Sequence, residues 1–318
     1  MSRRRSEHPS AQLLEELKAL AGRPADKGRS RRAWEIVVRS AAAEDFFVLH
    51  DFALENGLTL SCDAGPRAKH GQAPPVKTWV NPIDRSEMVW IPPGPFVVGD
   101  DNVRAESAGF SLARHPVTNA QFERFLKDTG YKPPEGHPGP ELFLRHWEKG
   151  KPPKDKKDHP AVFVSLLDAL AYCKWAGLTL PTEWLWEKAA RGPEGRTYPW
   201  GGAGPVSRTG RLANVGTDGT CAVGSYARTR SPYGCEDLVG NVSEWCRTGD
   251  DKDHGRFPEP WPEVKPDPDA LTVVRGACFY RTVFSGMAAA HRRRLSVVRR
   301  NQWTSFRPAL LLSCRPAQ

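Results

Sequence analysis

From about Trp79 onward the chain is cut into short apolar runs that close on glycine or proline, and this punctuation limits it to a loop-rich fold. Met88-Val89-Trp90-Ile91 runs into Pro92-Pro93-Gly94, and Phe96-Val97-Val98 stops at Gly99, a strand–turn–strand pattern. Three short helices are expected in this stretch. Val117 to Leu126 carries Phe122, Phe125 and Leu126 on one face, with Thr118 as cap. Ser165 to Trp175 opens on Ser165 with Asp168 three residues on, close to a capping box. Thr182 to Arg191 follows Pro181. Residues 131–158 are rich in proline, lysine and glycine and read as an exposed loop. Glycine turns dominate from Tyr198 to Asn241.

The first 75 residues differ. Leu13, Leu14, Leu17 and Leu20 recur at helical spacing, a basic break spans Arg23 to Arg32, and a second apolar stretch runs from Trp34 to Leu58. Two or three helices are expected there, followed by a linker over Cys62 to Lys77. The division is therefore 1–75, a helical region with linker, and 76–318, the main domain. No apolar run approaches the roughly 20 residues of a membrane span. Arg3 and Arg4 are not followed by the apolar stretch of a signal peptide. The seven cysteines are scattered, with no Cys-x-x-Cys pair. A cytoplasmic chain with reduced thiols is the expectation, with display at a cell or virion surface left open.

The net charge of +9 has one location. Nine arginines, and no lysine or acid, lie between Arg275 and Gln318, so the other 274 residues are neutral. Such a segment suits nucleic acid, an acidic protein surface or anionic sugars. Alternatively, its arginines pair with acids elsewhere in the fold.

Several blocks stand in a fixed order: Met88 to Gly94, Pro116 to Phe122, His159 to Ser165, Leu180 to Gly192, Tyr198 to Gly201, Asp237 to Trp245, Val274-Arg275-Gly276 and Phe306-Arg307. This series closely resembles the sulfatase-modifying-factor, or formylglycine-generating enzyme, family over about residues 79–309. The resemblance implies an α+β fold, that family's irregular variant of the C-type lectin fold. Most of these residues read as scaffold: Trp184, Trp186 and Trp245 anchor a loop-rich core, and Gly240 marks a backbone position without room for a Cβ.

The enzyme branch of the family uses two cysteines, a few positions apart, as soft ligands for copper. Here the corresponding positions hold Arg281 and Gly286, and Cys278 falls where the family has serine. His8, His50 and His70 do not form the His-x-x-x-His-x-Glu iron site of the ergothioneine-type branch. The chain is therefore expected not to be an enzyme. Its C-terminal segment instead resembles the variable region of the target proteins of diversity-generating retroelements. The ends read Arg275-Gly276-Ala277-Cys278-Phe279 and Ser305-Phe306-Arg307, with Ala289-Ala290-His291-Arg292 inside. Ala277 and Ser305 depart from that pattern, where glycines are usual. Adenine-directed diversification of Asn codons cannot produce Lys, Glu, Gln, Met or Trp. These types make up about one residue in six of the chain, yet only Met287 belongs to them between Gly276 and Asn301.

The resemblance implies a ligand-binding display protein whose variable region spans about 276–307. Expected variable positions are Tyr280, Arg281, Thr282, Phe284, Ser285, His291, Arg293, Leu295, Val297, Val298 and Asn301. Met287, Ala289, Arg292, Trp303, Phe306 and Arg307 are expected framework. Read on residue type alone, Phe284, Leu295, Val297 and Val298 favour core. The ligand would be a protein or cell-surface molecule that differs between variants; residues 1–75, outside the resemblance, are read as a partner-docking or tethering helical module. Two alternatives are a formylglycine-generating-type oxidase with a relocated thiol site and a nucleic-acid binder. The absence of lysine in the tail and of any recognition motif argues against the second. No cofactor is required by this reading. The family implies a structural calcium near its Asn-Val and Gly-Asn-Val-x-Glu turns, where Asn214, Val215, Asp218, Asn241, Val242 and Glu244 offer oxygen ligands. The competing reading gives Asn214 and Asn241 ordinary turn hydrogen bonds.

Overall fold

The computed structural model describes residues 9–22, 32–33, 36, 49, 76–202, 204–207, 210–247, 265, 267–281 and 286–311. The expected second helical stretch over 34–58 lies outside these residues apart from Ile36 and Leu49, and the linker over 62–77 apart from Val76 and Lys77.

Among the described residues, two four-stranded sheets, two hairpins and three α-helices build the main domain. β1 (Thr78–Val80), β2 (Glu87–Ile91), β5 (Phe110–Ala113) and β12 (Ala309–Leu311) form an antiparallel sheet in the order β1-β2-β5-β12. The second sheet has the order β10-β9-β8-β11. It consists of β8 (Ser243–Trp245), β9 (Leu271–Arg275), β10 (Arg292–Ser296) and β11 (Thr304–Ser305), with β11 parallel to β8. The strands expected at 88–91 and 96–98 are present as β2 and β3 (Gly94–Val98), but β3 forms a hairpin with β4 (Val103–Ser107) and does not pair with β2. A shorter one joins β6 (Val206–Ser207) to β7 (Gly210–Arg211).

The helices begin where their caps dictate. α1 (Pro9–Ala21) precedes the domain. α2 (Asn119–Thr129) opens on a capping box between Thr118 and Gln121, and α3 (Leu166–Ala176) on one between Ser165 and Asp168. In each, the N-cap hydroxyl accepts from the N3 backbone while the N3 side chain accepts from the N-cap backbone, satisfying two otherwise orphaned donors. Both stop at a left-handed glycine, Gly130 and Gly177. α4 (Glu183–Arg191) is capped by Thr182, whose hydroxyl accepts from Leu185 N.

α2 and α3 meet through aromatic rings. Phe122 stacks on Tyr172 at 5.8 Å and 10°, and Phe306 packs edge-on against both. Trp245 closes this core and donates from its indole to Val164 O. Leu13, Leu17 and Leu20 of α1 are buried in one cluster with Trp79, Met88 and Leu310. The apolar face of α1 is thus packed against the first sheet. Residues 131–158 also depart from an exposed loop: His137, Leu144 and Trp147 are buried, the last at 9 % exposure. Among the described residues no helix is long and apolar enough to cross a membrane.

Buried ion pairs fix the joints. Glu187 on α4 bridges Arg191 at 2.8 Å and Arg275 at the end of β9. Asp168 receives Arg300 Nε at 2.8 Å. Glu244 receives Arg307 and, at 2.7 Å, Trp186 Nε1. Such pairs roughly offset their own desolvation, so they specify geometry more than they add stability. The C-terminal arginines accordingly divide: Arg275, Arg292, Arg300 and Arg307 pair with Glu187, Glu183, Asp168 and Glu244.

Candidate functional site: the C-terminal face

The backbone of 277–279 is pinned before its neighbours reach solvent. Gly240 N donates to Ala277 O, Phe279 N to Asn241 O, and Thr217 N to Phe279 O. Gly240 has φ 92°, and a Cβ there would lie 2.9 Å from the backbone of Asn214, so this turn requires glycine as expected.

Four expected variable residues share one face. Tyr280 is 41 % exposed and meets Trp303 edge-on at 5.9 Å. Arg293, on β10, lies over the same indole with its guanidinium carbon 4.7 Å from the ring centroid, and Nη2 donates to Ser243 Oγ. Arg281 and His291 converge on Gly286: a Cβ built there would lie 3.7 Å from Arg281 Nη1 and 3.8 Å from His291 Nε2. Burial and the charges of Arg293, Arg281 and Arg275 hold the His291 pKa below its usual value, against a weaker pull from Asp100. The face therefore offers aromatic and cationic contacts, the types that dominate interface energies.

The remaining expected positions divide. Thr282, Phe284 and Ser285 lie outside the described residues. Val297 and Asn301 are corrected to core. Val297 is 3 % exposed, packs in the cluster of Phe306 and Trp245, and accepts Leu166 N at the start of α3. Asn301 is 7 % exposed, and its two oxygens accept from Phe163 N and Trp303 N. Leu295 and Val298 are half-buried against the same cluster, as residue type alone suggests. Of the expected framework, Met287, Ala289, Phe306 and Arg307 are buried and Trp303 is half-buried. Arg292 instead lies on the surface, reaching Glu183 at 3.2 Å and standing over the Trp184 ring.

The oxygens expected to hold calcium are spoken for. Both oxygens of Glu244 accept from Arg307, inside the fold, which corrects its assignment as a ligand. Asn214 Oδ1 accepts from Thr217 Oγ1 at 2.7 Å, and Asn241 Oδ1 accepts from Cys221 N at 3.0 Å. Arg211 Nη1 donates to the carbonyls of Val215 and Gly216 at 2.8 and 3.0 Å. Val242 is buried and Asp218 lies exposed at a separate surface pocket. Two guanidinium groups already lie on this oxygen set, so it does not fit a divalent cation. Copper fares no better at positions 281 and 286, where a guanidinium faces a glycine and no thiol is offered. Cys278 is fully buried.

A pocket that sequence reasoning missed opens beside this face. His146, Lys156, Phe163, Thr220, Phe279 and Gln302 are among the residues that line it. They come from four distant stretches, so no local pattern marks them.

The sulfatase-modifying factor enzyme 1-like domain family matches residues 76–311. A formylglycine-generating enzyme of Mycobacterium tuberculosis is 32 % identical over 226 residues, covering 51 % of this chain and 74 % of that protein. The inactive C-alpha-formylglycine-generating enzyme 2 of Mus musculus is 29 % identical over 259 residues, 66 % of this chain and 79 % of its own. Other relatives are matched over a smaller share: the chain spans 47 % of the hercynine oxygenase of Mycolicibacterium smegmatis. Among solved structures, PvdO from Pseudomonas aeruginosa superposes with a TM-score of 0.57 at 24 % identity, over 73 % of this chain and 97 % of that one. Treponema denticola variable protein 1 gives 0.50 at 17 % identity, over 79 % and 99 %. The fold is thus common to enzymes, to a relative named inactive and to a variable protein. On a match covering most of its length, the chain belongs to the sulfatase-modifying factor enzyme 1-like domain family.

Proposed function

We propose that the chain is a non-catalytic ligand-binding protein. It presents Tyr280, Arg281, His291 and Arg293 on a fixed frame, and a retroelement diversifies the segment 276–307. The observation that carries this reading is the pair Arg281 and Gly286. Where the enzyme branch places two thiols, this chain has a cation beside an open glycine, within a cluster of contact-forming side chains. The frame beneath is held by backbone bonds and buried ion pairs, so little conformational entropy is lost on binding. The ligand is a protein or cell-surface molecule suited to aromatic and cationic contacts.

The test is genomic. A near-copy of the coding segment for 276–307, differing mainly at adenines and lying beside a reverse transcriptase, is the expected finding. Its absence would retire diversification. A second reading, an oxidase with an altered thiol site, draws on the 32 % identity to an enzyme. Copper titration separates the two, since tight stoichiometric binding would favour the oxidase.

A further inference from the structure

Two donors on the C-terminal face meet at a point that a side chain would fill. The nearest atoms to a Cβ built on Gly286 are Arg281 Nη1 at 3.7 Å and His291 Nε2 at 3.8 Å. Both side chains are half-buried, and among the described residues neither of these nitrogens has a partner or is sealed from solvent. Arg281 Nε, on the inner side of the same guanidinium, is buried and unpaired. The group is therefore partly desolvated with no acceptor to offset the loss, and an arriving anion would supply the missing charge.

Arg293 adds a second guanidinium. Its stacking on Trp303 and its bond to Ser243 Oγ hold it in place. Burial, then the charges of Arg293, Arg281 and Arg275, depress His291, and Asp100 in the turn between β3 and β4 opposes them more weakly. Arg275 is matched by Glu187. No carboxylate among the described residues pairs with Arg281 or Arg293. Two uncompensated guanidinium groups thus sit with an imidazole that burial and their charge keep from its proton.

This balance selects among anions. A carboxylate is met best by the two parallel donors of one guanidinium fork. Here single nitrogens of two different side chains converge, which suits an anion whose oxygens point in several directions. A phosphate monoester has three such oxygens and about two negative charges near neutral pH, matching two guanidinium groups. A phosphodiester, as in nucleic acid, carries one charge and fits less well.

We infer that this face binds a dianionic phosphate group, free or as a monoester, with one oxygen over Gly286 between Arg281 Nη1 and His291 Nε2 and the second charge facing Arg293. Binding draws a proton onto His291, and a protonated imidazole donates from Nε2 whichever neutral tautomer it came from. The inference rests on reading this face as a binding surface. It needs no retroelement, so loss of phosphate binding and loss of diversification are separate results.

The experiment follows the His291 C2–H resonance of the full chain through pH titrations with and without inorganic phosphate, with acetate and dimethyl phosphate as controls. Phosphate itself titrates near neutral pH, so the readout is the His291 pKa and not the pH profile of affinity. Millimolar phosphate is expected to raise that pKa, and the controls are not. Arg281→Gln removes one donor and should weaken phosphate binding about tenfold. Gly286→Ala leaves every charge in place and occupies the seat, so it too should weaken binding; its Cβ meets ordinary contact distances and no left-handed φ opposes it, so the variant should fold. Arg294→Gln removes an equal charge from the other face of β10 and should leave binding unchanged. No rise in the His291 pKa, an equal rise with either control, unchanged binding in Gly286→Ala, or an equal loss in Arg294→Gln and Arg281→Gln would overturn the inference. Should Arg281→Gln fail to fold, Gly286→Ala decides alone. Phenyl phosphate binding more tightly than inorganic phosphate shows an ester whose carrier rests on the exposed Tyr280 ring; the reverse order shows a free ion. Both orders support the phosphate site.

Discussion

Arg307 and Glu244 face each other as two parallel forks inside the protein: Arg307 Nε donates to Glu244 Oε2 at 2.6 Å and Nη2 to Oε1 at 2.7 Å, with neither side chain reaching solvent. The remaining arginine donors bond the carbonyls of Ala113, Arg114 and Glu236. One side chain thus ties β5, β8 and the last segment together. Arg307→Ala strands a buried carboxylate and should cost about 3–5 kcal/mol. Urea unfolding of the variant beside wild type measures it; a loss below about 1 kcal/mol would show that the site rehydrates.

The same geometry bears on metal dependence. With guanidinium groups of Arg307 and Arg211 on the oxygens of Glu244, Val215 and Gly216, removal of calcium should leave the melting temperature unchanged. A melt with and without chelator checks this, and a downward shift would show an ion held elsewhere or in a rearranged turn.

Frame and face should respond differently to truncation. Trp245→Ala leaves a cavity in the main core and should cost about 3–5 kcal/mol. Tyr280→Ala removes a side chain largely in solvent and should move stability by about 0.5 kcal/mol or less. Val297→Asp places a charge in the core cluster and should unfold the protein, unlike any substitution of a displayed residue. Thermal melts of the three variants provide the comparison.

No conversion of a cysteine-containing sulfatase peptide to its aldehyde is expected, with or without added copper, because positions 281 and 286 offer no thiolate. Mass spectrometry of the peptide reads the outcome. Turnover above background would remove the non-enzyme reading.

Acid should weaken the fold through His146. Burial, aided by the charge of Lys156, lowers its pKa from 6.5 to about 4. Between those values the unfolded chain binds a proton that the native state refuses, so stability falls as pH drops from about 6.5 to 4 and is fully present above that window. His146→Phe should flatten this part of the profile. An unchanged slope in that variant would assign it to other groups.

The parts legible in the sequence are those fixed by local chemistry. Thr118, Ser165 and Thr182 cap helices because a hydroxyl at the right offset suffices, whatever surrounds it. Gly240 announces itself because the turn excludes a side chain. Asn301 was not legible as core, and Val297 was so only by residue type, against the resemblance that made it variable. They follow Arg292-Arg293-Arg294, which suggests a solvated stretch, while their burial is decided by α3 and Phe163 from other parts of the chain. Trp147 and Leu144 were hidden likewise in a segment whose composition suggests only solvent. The pocket beside His146 joins residues near 119, 146–163, 218–220, 279 and 302, a meeting that no periodicity encodes.

Trp186 and Glu187 are consecutive on α4, and each holds one end of the segment from Arg275 to Arg307: Glu187 binds Arg275, and Trp186 supports the Glu244 that binds Arg307. Closing a loop costs entropy according to its length, hardly according to its composition. With both ends fastened to a single helical turn, that cost is set outside the loop. Substitution of the exposed residues between the anchors therefore reshapes the surface without touching the two contacts that close the segment, so tolerance to change there is separated from stability.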